Sequence, residues 1–373
     1  VLLLFPSPAG GFAPCRGPVE AGVSARIDVL RIVLIGLIVL CHGGRFLGVL
    51  VPFDGPTVQF AATAFNRGPA CLAVPLFFAI SGYLLLRKLE LTPAGYVTLM
   101  GRKLYSIGLP FLIFNAVWIA WFLWVGSIAQ FGGRSYILEA GILPKLLGYD
   151  TSPVNYPLWF LRELLKVFAV TPVFLLFLRR LPLAGLALLF VLWFVERPND
   201  EYGFCGFAFW FYLGGLLARS GLDLGDTARL DRWVLPLFVL ATAVVGLAPW
   251  LTQDVVVYAV GKRFYQILGV VALWCLSRQP WIMGSGLLHR MAGASFFIFL
   301  THEPTVSILQ TRLLAVWRPE GAAAQLVAFV LPGLAALTLL YWLARGLSRF
   351  APPLYAVLTG APLRKRRAAP TAA

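Results

Sequence analysis

Charge is scarce in this 373-residue chain: Asp, Glu, Lys and Arg make up 13% of it, against roughly a quarter in soluble domains, while 60% is hydrophobic. A water-soluble fold has no interior large enough for that excess, so the composition excludes an ordinary soluble domain. Acids are scarcer than bases, 16 against 31, for a net +15. In a soluble protein that balance would suggest nucleic acid, but here the cations lie in short loops between apolar blocks, where they report orientation. The five cysteines (15, 41, 71, 205, 275) form no CxxC pair, and four lie in or beside apolar blocks. Neither a disulfide framework nor a metal site is readable from them. Internal repeats and dividing linkers are also lacking, which leaves one membrane-embedded unit.

What fills the chain is a series of apolar runs, each long enough to approach the roughly 20 residues that cross a bilayer. Bounded by Pro, Gly and charge, they predict ten spans: 28–49, 69–86, 104–126, 157–178, 181–195, 204–218, 233–251, 263–277, 293–313 and 323–346. The expected fold class is all-α, a polytopic integral membrane protein. Basic residues follow every even-numbered span, among them Arg87, Lys88, Arg102 and Lys103 after the second and Arg179 and Arg180 after the fourth. By the positive-inside rule both termini are expected in the cytoplasm. Residues 1–24 are read as a poorly ordered leader, 25–350 as the transmembrane domain and 351–373 as a basic cytoplasmic tail.

Ionisable groups inside such spans are costly and therefore candidates for function. In DVLRIVLIGLIVLCH, Arg31 and His42 are 11 positions apart, three helical turns plus about 20°, so they share one face about 16 Å apart along the axis. Asp28 stands three before Arg31 and can pair with it. In ASFFIFLTHEPTVSIL, His302 and Glu303 are expected roughly 14 Å into span nine, a depth comparable to His42. Pro304 follows directly, and a helix proline frees the carbonyl four residues back, that of Leu300, for another partner. His289, beside Arg290, reads as ordinary surface.

Other polar residues have a plainer reading beside the functional one. Ser81, Gly82 and Tyr83 end span two and suit close helix packing. Arg162 and Glu163 in PLWFLRELLK suit an interfacial pair. Arg102 and Lys103 suit topology determinants. Their order along the chain raises the functional reading.

Arg31-x10-His42, FFAISGYLL, PLWFL and ASFFIFLTHEP, in this order on about ten spans, resemble the membrane acyltransferase family 3, whose members O-acylate bacterial surface sugars and related acceptors. The motifs cover residues 28 to about 305, and the charge-rich opening RIDVLR and the FLTHEP ending look most like members acting on exopolysaccharide or glucan. The resemblance implies an O-acetyltransferase of the bacterial cytoplasmic (inner) membrane. It takes an acyl group from cytoplasmic acyl-CoA, usually acetyl-CoA, to a carbohydrate hydroxyl on the far side. His42 is implied as the catalytic residue with Arg31 its partner; on chemical grounds Glu303 or His302 is the candidate to orient it, as the third group does in a triad. Arg31, Arg87, Lys88, Arg102 and Lys103 are the candidates for the CoA phosphates, although GRKLYS departs from the expected paired-arginine pattern. Ser81, Tyr83, Trp159, Arg162 and Glu163 are the candidates for the acceptor. Lacking the added extracytoplasmic domain of many members, the chain is expected to act alone or with a partner of polysaccharide synthesis or export.

The chemistry agrees with the residue types. Acyl transfer from a thioester to a hydroxyl needs a base, and neutral imidazole is one. A polyanionic donor needs cations at its mouth. A rival reading, a proton-coupled transporter with His42, His302 and Glu303 as relay, draws on the same midplane residues and the proline-broken helix. A third makes the polar residues helix glue in an export complex.

Overall fold

The computed structural model describes residues 19–51, 53, 55–89, 92–125, 133–149, 151–196 and 203–362, and these hold helices and no strand. Residues 1–18 of the expected leader and 363–373 of the expected basic tail lie outside those residues. Helix α1 (Ala21–Leu50) is unbroken from Arg31 past His42. Next come α2 (Gly55–Asn66), a 3-10 turn (Pro69–Leu72) and α3 (Ala73–Leu86). Helix α4 (Pro93–Lys103) starts on Thr92, whose hydroxyl accepts the Gly95 amide at 3.2 Å as an N-cap, and passes through a π-helical turn (Leu104–Gly108) into α5 (Leu109–Val125). Short α6 (Gly133–Ala140) and α7 (Ile142–Leu147) precede a 3-10 turn (Tyr156–Leu158). The chain continues through α8 (Trp159–Ala169), α9 (Thr171–Arg180), α10 (Pro182–Val195), α11 (Phe204–Arg219), α12 (Ala228–Leu251) and α13 (Val255–Leu276). It closes with α14 (Pro280–Met283), α15 (Gly286–Ala292), α16 (Ser295–Val316), α17 (Gly321–Phe350) and α18 (Pro352–Thr359).

Among the described residues, five helical stretches are long and apolar enough, by length and composition, to cross a membrane: Gly55–Leu86, Pro93–Trp124, Ala228–Leu251, Val255–Leu276 and Gly321–Phe350. Helices α10 and α11 are shorter apolar ones. The single span expected over 157–178 is divided into a 3-10 turn, α8 and α9. The division falls at Val170, two residues before Pro172, where a proline ring disfavours helix in the residue before it and offers no amide hydrogen. Span eight is expected to begin at 263; α13 begins at Val255, so Lys262 and Arg263 are inside a helix.

Two buried clusters organise the packing. One surrounds α3 and α11, where Phe78 and Phe207 stack with ring centres 4.6 Å apart and Phe168, Phe211 and Tyr212 are buried. These helices touch backbone to backbone. A Cβ on Gly82 would collide with the Phe211 carbonyl, and one on Gly214 with that of Ala79. The other cluster joins α1, α16 and α17 through Ile35, Val39, Ile298, Leu300, Ala336 and Leu340. Leu30 and Leu34 of α1 belong to the first cluster and Ile32, Ile35 and Val39 to the second. A helix packed on both sides must be apolar all round, which is why α1 is so oily. Its start is pinned by buried Arg26, whose Nε donates to Ser277 Oγ at 3.0 Å and whose Nη1 donates to the Leu224 and Gly225 carbonyls at 2.9 Å each. The same guanidinium lies 4.2 Å over the Trp274 ring.

Candidate functional site

Where α1 passes α16, the rings of His42 and His302 meet edge to face, with centroids 5.1 Å apart and planes at 66°. The comparable depth expected for the two residues is seen as direct ring contact. His302 is fully buried, and its Nδ1 lies 2.7 Å from the Phe299 carbonyl. A carbonyl oxygen only accepts, so Nδ1 carries the hydrogen, and neutral His302 keeps its lone pair on Nε2. That Nε2 is buried and has no hydrogen-bond partner among the described residues. Glu303, also buried, accepts the Ser307 hydroxyl at 3.0 Å one turn along α16.

His42 is half-buried and opens onto a cavity of about 470 Å³, within the usual range for small-ligand sites. Its wall is strongly aromatic: Tyr156, Trp159, Phe160, Trp193, Trp210 and Tyr258 contribute, with Phe77, Phe207 and Phe299. Rings of this kind offer flat apolar faces with polar edges, suited to the apolar faces of sugar rings. The lining comes from the C-terminal ends of α1 and α10 and the N-terminal ends of α3, α8, α11 and α13, so the cavity occupies one end of the bundle. Three cations and one acid reach it. Arg67 lies 5.0 Å over the Tyr258 ring, and Arg263 donates to the Glu196 carbonyl at 2.7 Å. Lys262 also lines the wall. The Glu196 carboxylate takes the backbone amides of Cys205 and Gly206 at 3.1 and 3.2 Å, closing the start of α11.

The candidate donor cations gather at the opposite ends of α1 and α3. Arg31, partly exposed, pairs with Asp28 at 3.1 Å and stands within electrostatic range of Lys103. Lys103 Nζ is 4.7 Å above the Phe168 ring. Lys88 and Arg102 are exposed and Arg87 is buried. No potential metal cluster of three or more His, Cys, Asp or Glu occurs among the described residues.

Of the five acceptor candidates read from the sequence, Trp159 lines the cavity and the other four are not among its lining residues. Arg162 donates to Glu163 at 2.8 Å and to the carbonyls of Gly148 and Thr151, while Lys166 reaches the same Glu163 oxygen at 2.9 Å. These groups hold the chain between α7 and α8. Ser81 and Tyr83 flank the Gly82 contact with α11.

Two residues that sequence reasoning passed over join the site. Buried Asn155 donates through Nδ2 to the Leu300 carbonyl at 3.1 Å, and its own amide donates to Asn115 Oδ1 at 3.0 Å. Asn115 Nδ2 in turn donates to the Phe111 carbonyl at 2.9 Å. The signal for Asn155 is the expected vacancy at Leu300, freed by Pro304; which residue fills it depends on a fold that brings the loop before α8 against α16.

Residues 24–346 match the family model described as an acyltransferase domain. Over 369 residues, 94% of the chain and 95% of the relative, the sequence is 28% identical to the succinoglycan biosynthesis protein ExoH of Rhizobium meliloti strain 1021. No solved structure matches the chain.

Proposed function

The chain belongs to the acyltransferase family that its residues 24–346 match, and from that premise we propose that it moves an acyl group, acetyl in the simplest case, from cytoplasmic acyl-CoA to a hydroxyl of an exported carbohydrate, with His42 as general base. The observation that carries this reading is the His42–His302 contact beside an aromatic cavity, with partly exposed Arg31 three turns back on the same α1 helix. The proposed orientation puts both termini in the cytoplasm, the cations at the cytoplasmic mouth and the cavity on the outer side. Similarity to a succinoglycan biosynthesis protein supports an exopolysaccharide acceptor.

In this scheme the acceptor packs on the cavity's rings with one hydroxyl against His42. Imidazole takes the hydroxyl proton as the oxygen attacks the thioester carbonyl carbon. The tetrahedral species collapses by breaking the C–S bond, and the imidazolium returns its proton to the departing thiolate. The products are an ester and a CoA thiol. His302, its tautomer fixed by Phe299, orients His42 through ring contact. Arg31, Lys88, Arg102 and Lys103, with Arg87 behind them, receive the donor's phosphates. From Arg31 to His42 is about 16 Å, a span that an extended pantetheine arm bridges.

The test is transfer of label from radiolabelled acetyl-CoA to polysaccharide by purified protein. Wild type is expected to label the acceptor, and His42→Ala to lose at least a hundredfold in rate, on the order expected for a general base. His302→Ala is expected to retain binding of acceptor and lose rate. Solute uptake driven by a pH gradient, without label transfer, would sink the proposal.

A further inference from the structure

We infer that Asn155 is a positioning residue for the reaction, setting the place of His302 through the backbone carbonyl that Pro304 leaves open. The inference rests on His302 serving the His42 base, as proposed above. Pro304 lies inside α16 and cannot donate to Leu300, so the oxygen of Leu300 is left without its helical partner two residues before His302. Leu300 and Asn155 are both buried, so water does not supply a substitute. Asn155 Nδ2 does, at 3.1 Å, and because a carbonyl only accepts, it is the amide nitrogen that must face it.

Asn155 is itself fixed from the other side by Asn115 on α5, which accepts its backbone amide at 3.0 Å. It also opens the 3-10 turn Tyr156–Leu158 and so precedes Tyr156, Pro157 and Trp159, all of which line the cavity. One buried side chain therefore joins the aromatic rim to the turn of α16 that carries His302. A shift of α16 at Leu300 moves the His302 ring against His42, and displacement of about 1 Å in a reacting geometry is enough to cost on the order of a hundredfold in rate.

The experiment is a double-mutant cycle on acyl transfer in detergent-purified protein, with Asn155→Leu and Pro304→Ala. The Pro304→Ala change restores an amide hydrogen able to reach the Leu300 carbonyl, so the Asn155 donor becomes redundant. Asn155→Leu alone is expected to lower kcat roughly 10- to 100-fold with little change in acceptor KM. In the Pro304→Ala background the same substitution is expected to cost less than about threefold. Asn155→Asp, which keeps the shape and removes the donor, should fall with Asn155→Leu. A kcat unchanged in folded Asn155→Leu overturns the inference. So does an equal loss in both backgrounds, which marks a merely structural role, and so does an inactive Pro304→Ala, which shows that the proline itself places His302. If His302→Ala proves fully active, the underlying reading fails instead, and the two failures are told apart.

Discussion

Arg162, directly after the PLWFL motif, illustrates how a single side chain can hold a loop outside the cavity lining. Its guanidinium holds the carbonyls of Gly148 and Thr151 and pairs with Glu163, away from the residues that line the cavity. Arg162→Leu is therefore expected to lower stability by about 1.5–3 kcal/mol for each charged hydrogen bond lost, seen as a lower melting temperature in detergent. Acceptor KM should stay within about twofold; a large rise in KM with unchanged stability would return Arg162 to the acceptor site. The shared face of Arg31 and His42 is legible in the sequence because helical periodicity is a local property of the chain. So is the open carbonyl at Leu300, since Pro304 creates it within one turn. The partners of Arg162 and the identity of Asn155 are not, because each is chosen by a segment distant in sequence.

Among the helices, apolar runs mark most of the long elements, and the departures have local causes. Pro172 divides the run over 157–178 into α8 and α9, and Asp254 caps α13 by accepting the Val256 and Val257 amides, so the helix starts at Val255 and takes in Lys262 and Arg263. The small residue in SGY does carry a packing message: α3 and α11 meet at Gly82 and Gly214 with no room for a methyl group on either. Gly82→Ala is expected to destabilise the protein by at least about 1–3 kcal/mol, because the obstructing atom is backbone and the helices must separate. Gly101→Ala on α4 meets nothing within 4 Å and should be neutral or slightly stabilising. Thermal unfolding of the two variants side by side checks the pair; equal melting temperatures would show that the α3–α11 seam yields.

Across the whole molecule, the composition and the distribution of cations make a helical membrane protein legible, but not the cavity. Its aromatic wall draws on α1, α3, α8, α10, α11, α13 and α16, and no local pattern announces that Trp159, Trp193 and Trp210 will face one space. The feature with the widest reach is α1 itself, with Arg31 in its first half and His42, three turns on, beside the cavity. On the proposed route an acyl group leaves across the membrane while the hydroxyl's proton travels the other way, through His42 to the CoA sulfur. The exchange carries an acylium equivalent outward and a proton inward, and no net charge moves. Turnover in proteoliposomes should then be the same at zero potential and at an imposed potassium diffusion potential. If the proton were shed on the cavity side, one positive charge would leave in each cycle, and every 100 mV would weigh on it by about 2.3 kcal/mol. On that proposed route a histidine set between the two faces would make the transfer electrically silent, and a cell whose membrane potential collapses would go on modifying its exported sugars as long as acyl-CoA lasts.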